Sequence, residues 1–184
     1  GTGSLPDLRR LNRFIDQLYG AAFSVDVDQL GDRQVIHLCL ELVDGRFLPD
    51  RENLLRPGVD FLHDVLRDPA CEGAGFRRDY LRQEKSALKL NMAALFNDKL
   101  LYAQRRCIEV MCRGEPFGIS PLGTADDFRG INPVHLLKCH QDLLACHPID
   151  VFVCGRTAQK RDIALWEDFF DWERHPRPVA VQEP

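Results

Sequence analysis

No run in this sequence approaches the roughly 20 consecutive apolar residues that a membrane-spanning helix requires, and no charged-then-apolar leader opens it. A soluble protein, or a piece of one, is expected, with the cytoplasm as its default location. An excess of positive charge is also missing: 24 Lys and Arg stand against 28 Asp and Glu, a net charge of −4. That balance gives no electrostatic footprint for nucleic acid. The basic clusters Arg9, Arg10, Arg13 and Arg77, Arg78, Arg82, Lys85, Lys89 read as solvated helix faces. Nor is there an even, regularly spaced cysteine set, and the seven cysteines fit reduced thiols better than a disulfide framework. The nearest approach to a metal pattern is Cys139-His140 followed by Cys146-His147. Helix neighbours diverge by about 100°, so these four side chains do not converge from one helix, and buried free thiols are expected instead. Internal repeats and low-complexity tracts are absent too.

What is present is ordinary globular composition, 45% hydrophobic and 28% charged over 184 residues, enough for one core. Leu8, Leu11, Phe14, Ile15 and Leu18 recur at helical spacing before Gly20, and Ser4 is a candidate cap ahead of Pro6. Strands are predicted from Ala22 to Asp28 and from Gln34 to Val43, joined through Leu30-Gly31-Asp32-Arg33. In the second, Ile36, Leu38, Leu40 and Leu42 alternate with Val35, His37, Cys39 and Glu41, so one face is apolar. Pro57 sits in the first turn of a helix that ends near Pro69. From Phe76 to about Cys112 the chain has neither Gly nor Pro, which predicts one long helix or two broken near Asn97-Asp98. Asn132-Pro133 starts a helix with His140 on its apolar face. Ile149 to Cys154 reads as a strand, Asp162 to Trp172 as a final helix, and His175 to Pro184 as a Pro-rich tail. The expectation is an α+β fold, a mostly antiparallel sheet covered on one face by helices. Three strands make a thin sheet, since globular sheets usually hold about 5–6.

Four segments then come in a telling order: Leu18-Tyr19-Gly20-Ala21, Gln83-Glu84-Lys85, Asn97-Asp98-Lys99 with Tyr102, and Met111 through Gly118. From about Gly1 to Gly155 the chain resembles the M16 metallopeptidases, the insulinase and pitrilysin group, and within it the bacterial branch of non-catalytic halves. The resemblance implies a partial domain over residues 1–158, part of an N-terminal domain of the M16 peptidase and LuxS-metallohydrolase type with its first strands before residue 1. Residues 159–184 would then be a final helix and linker towards a second domain. Active members carry His-x-x-Glu-His, in which two imidazoles bind zinc and the glutamate activates water. That motif is absent here; in the family it lies just before a pair similar to Gly1-Thr2. The place of the third ligand, a glutamate, falls on Asn91, and a neutral amide is a poor zinc ligand beside carboxylate, imidazole or thiolate.

Glu84 matches a further glutamate seven residues earlier, on one stripe with Leu88, Asn91 and Leu95. Glu84 and Asn91 are therefore the candidate vestigial site, or else polar residues at the edge of a core stripe. No catalytic residue, metal ligand or cofactor is assigned within the chain; zinc enters only through an active half of the parent protein. The resemblance implies peptide or unfolded polypeptide as partner, together with a second M16 domain or homologous half, and neither nucleic acid nor membrane. Two other readings stay open: an active zinc endopeptidase whose motif precedes residue 1, and an interaction module that recruits a strand to an exposed sheet edge.

Overall fold

The computed structural model describes residues 1–156, 160–169 and 175. Helix α1 (Leu8–Gln17) starts at Asp7, whose carboxylate accepts a hydrogen bond from Arg10 N at 2.8 Å. Asp7 is thus the cap, and the expected Ser4 instead donates its hydroxyl proton to Asp64 at 3.1 Å. The helix stops where Tyr19 and Gly20 turn to φ of 57° and 71°, a left-handed pair that ends the ladder.

A two-residue turn joins β1 (Ala22–Leu30) to β2 (Arg33–Glu41), with Leu30 opposite Arg33 and Ala22 opposite Glu41. Gly31 has φ of 57° while Asp32 stays negative, the pattern of a II′ turn with glycine first. This register stacks Phe23, Val25 and Val27 beside Leu40, Leu38 and Ile36 on one face. The base of that face is covered. Phe23 meets Phe61 edge-on at 4.9 Å, and Leu40 and Leu42 close over Gly58. Farther out, Val25, Val27 and Ile36 are 52%, 51% and 43% exposed.

Helix α2 (Leu55–Arg67) has cores on two sides. Towards the hairpin, Leu18, Ala21, Leu48 and Leu54 pack with Phe14, Ile15, Leu40 and Leu42; on the other side Val59 meets Phe169, Leu165 and Trp166 of α7 (Lys160–Phe169) together with Ile149. Past α2, Thr2 bridges to Pro69 and is 1% exposed, its hydroxyl accepting from Leu5 N. A small hairpin, β3 (Cys71–Glu72) and β4 (Gly75–Phe76), turns at Gly73 and brings Gly75 against the Pro133 backbone.

The Gly- and Pro-free stretch is two helices, α3 (Arg78–Leu95) and α4 (Lys99–Met111). Asp98 accepts from Leu101 N at 3.0 Å and so starts the second. A single turn, α5 (Asp127–Gly130), precedes α6 (Pro133–Cys146), where Asn132 accepts from His135 N at 2.9 Å. The half-buried His140 donates to the Leu66 carbonyl at 2.7 Å and lies edge-on to Phe76.

Two antiparallel sheets with flanking helices make the chain α+β, as expected. The third strand, expected from Ile149 to Cys154, is a correction: residues 149–154 join no ladder among the described residues, and Phe152 is 93% exposed. Apolar composition marked the segment, but a strand also needs a neighbour to take its N–H and C=O groups. The described part of the final helix is α7, Lys160–Phe169; residues 170–172 of the expected Asp162–Trp172 helix, and the tail except His175, lie outside the described residues. No helix among the described residues is long and apolar enough to cross a membrane.

Candidate functional site

Helix α3 carries both candidate residues, and what fixes its rotation decides where they point. Its half-buried stripe is Leu81, Lys85, Leu88, Met92 and Leu95, spaced alternately by four and three. Lys85 holds it down by donating to the carbonyls of Phe128 and Ile131 at 2.7 and 2.6 Å, and Lys89 sits 5.7 Å from the centre of the Phe128 ring. These carbonyls end the single turn of α5 and lack intrahelical partners. The solvated-face reading of Lys85 is therefore corrected: its stem lies along the apolar stripe and its ammonium closes the next loop. At the start of α3, Arg77 binds Asp79 at 2.6 Å and lies over the Tyr80 ring at 4.4 Å, while the Tyr80 hydroxyl donates to the Pro6 carbonyl. The Arg77 guanidinium holds the Asp79 carboxyl below the usual range.

With α3 so fixed, Glu84 and Asn91 each precede a stripe residue by one position and are exposed, while Leu88 and Leu95 are half-buried. The predicted stripe thus divides, its leucines facing inward and its polar members at the solvent edge. Seven residues still bring Glu84 and Asn91 onto one line of the helix. Among the described residues neither side chain has a hydrogen-bond or ion-pair partner, and no group of three or more His, Cys, Asp or Glu is placed to hold a metal ion.

The other segments behind the resemblance have visible structural roles. Leu18 and Ala21 enter the core from the turn that ends α1. Around Asn97-Asp98-Lys99, the Phe96 and Tyr102 rings stack at 4.7 Å and Lys99 donates to the Phe96 carbonyl at 2.7 Å, closing the break. The Met111 to Gly118 loop is gripped from the hairpin: Gln29, on the apolar face of β1, donates to the carbonyls of Pro116 and Phe117 at 3.3 and 3.1 Å. That long-range grip has no local sequence signal.

All seven cysteines are free, and Cys39, Cys71, Cys107, Cys139 and Cys154 are exposed. The expectation of buried thiols around Cys139 and Cys146 is corrected, because Cys139 faces solvent and Cys146 is half-buried. A closer pair is His135 and Cys139: one helical turn apart, they bring Nε2 and Sγ to 3.6 Å. The i, i+4 spacing of His135 and Cys139 is the sequence signal for this pair.

No family model matches the chain. The chain is 34% identical over 173 residues to YmfF of Bacillus subtilis (strain 168), named a probable inactive metalloprotease; the match covers 94% of this chain and 41% of that protein. A crystal structure of a conserved protein from Enterococcus faecalis V583 shares the fold, with a TM-score of 0.87 at 22% identity, over 98% of this chain and 43% of that one. The chain therefore spans about two fifths of each of these relatives, and it is a homologue of a protein named a probable inactive metalloprotease.

Proposed function

We propose that this chain is a non-catalytic unit of a larger M16-like protein, which holds unfolded peptide or pairs with a second, similar unit rather than cutting peptide bonds itself. The similarity to a probable inactive metalloprotease along 94% of the chain carries the reading. Two features support it. At the place where the family resemblance puts a carboxylate ligand, the chain has the amide of Asn91. The outer hairpin face and residues 151–153 leave apolar side chains uncovered, as surfaces that receive another polypeptide do. Zinc chemistry would then belong to an active partner half.

The test uses the full-length protein with a fluorescently labelled unstructured polypeptide. Saturable binding without cleavage is expected, and added Zn2+ should leave the polypeptide intact. Hydrolysis that a chelator abolishes would overturn the reading, and failure to bind both the polypeptide and a homologous half would do so as well.

A further inference from the structure

We propose that His135 and Cys139 on α6 form a surface chelate for a borderline-soft divalent transition metal such as Zn2+ or Co2+. Imidazole nitrogen and thiolate sulfur are the donors such ions prefer. The spacing of four places both on one helix face, one turn apart. The separation itself is informative. A metal about 2.3 Å from sulfur and about 2.0–2.1 Å from nitrogen, at a tetrahedral angle, sets the two donors about 3.6 Å apart. The Nε2 to Sγ distance is 3.6 Å.

The frame beneath the pair is fixed before any metal arrives. Asn132 caps the helix through the backbone N–H of His135 itself, Pro133 occupies its first turn, and the buried Gly75 backbone presses on Pro133. Both side chains are exposed, so an ion reaches them without opening a core. No third His, Cys, Asp or Glu is placed to join a metal cluster among the described residues. The pair therefore fills two positions and leaves the others to water or to a donor from another molecule. This site lies on a different helix from Glu84 and Asn91 and does not rest on the non-catalytic reading. It does bear on metal analysis: zinc bound through α6 says nothing about a peptidase centre.

The experiment titrates the reduced protein with Co2+ and follows the thiolate-to-cobalt charge-transfer absorption, then displaces the ion with Zn2+. One equivalent is expected. Cys139→Ser should abolish the band. His135→Gln should raise the Kd for Co2+ by more than about tenfold, since even losing an outer-shell partner costs 10–100-fold. Circular dichroism of both surface variants should match the parent. A band that survives Cys139→Ser, an unchanged Kd in His135→Gln, or a band abolished instead by Cys107→Ser, whose sulfur lies 3.4 Å from that of Met111, would overturn the assignment.

Discussion

Replacing Phe61 with alanine tests the packing that joins the hairpin to the helices. Phe61 is 2% exposed and stands between Phe14 of α1 at 5.3 Å and Phe23 of β1 at 4.9 Å, the latter edge-to-face at 80°. Burial of a phenylalanine removes at least about 150 Å² from water, which at about 25 cal/mol per Å² comes to roughly 4 kcal/mol. Truncation loses most of this and leaves a cavity, and measured Phe→Ala costs run to about 3–5 kcal/mol. We expect a loss of about 4 kcal/mol, a large part of the 5–15 kcal/mol that holds a typical domain. Urea unfolding followed by circular dichroism measures it as a lower midpoint at unchanged slope. Phe61→Leu, which keeps most of the volume, should cost under about 1.5 kcal/mol. A loss below about 1.5 kcal/mol for Phe61→Ala would show that α1, β1 and α2 do not share this core.

Along the same hairpin face the response should change with position: Val27→Thr and Ile36→Thr, on its uncovered part, are expected to shift stability by no more than about 0.5 kcal/mol in the same urea assay. Lys85→Met leaves the Phe128 and Ile131 carbonyls without their charged donor; a loss of about 2 kcal/mol is expected, with faster proteolytic cleavage between residues 124 and 131 as the direct readout. At Gly75 a methyl group would stand 2.6 Å from the Pro133 carbonyl carbon and 2.8 Å from the Val134 nitrogen, backbone atoms with little room to yield. Gly75→Ala should therefore lower stability by about 1–3 kcal/mol in thermal melts. Asp127 accepts from both the hydroxyl and the backbone N–H of Thr124, which hold its carboxyl below the ordinary value of 3.8. Because the folded state binds this proton less readily than the unfolded one, the stability it lends is present above 3.8 and lost as pH falls through the folded value. Asp127→Asn should flatten the acid limb of the stability profile, and an unchanged limb would count against the Thr124 bonds.

Local order was legible in the chain because its causes are local. The spacing of Leu8 through Leu18, the missing Gly and Pro of α3 and α4, the capping pair Asn132-Pro133 and the glycine of the II′ turn each act within a few residues of themselves. Alternation in β2 also named the apolar face, since side chains on a strand have a period of two. Even there the cap expected at Ser4 is Asp7, whose carboxylate reaches the Arg10 amide.

Tertiary structure decided whatever depended on a distant partner. Residues 149–154 have strand composition, yet pairing needs a second edge, and none meets them among the described residues. The rotation of α3 followed from Lys85 reaching carbonyls more than 40 residues away. That rotation, invisible in the helical period alone, leaves Glu84 and Asn91 at the solvent edge. The sequence by itself determined which residues are apolar, which stretches are helical, and that an amide stands at position 91. Which faces those helices bury, and whether apolar surface finds a cover, follow from contacts between segments far apart in the chain, because burial is a property of pairs of surfaces rather than of residues.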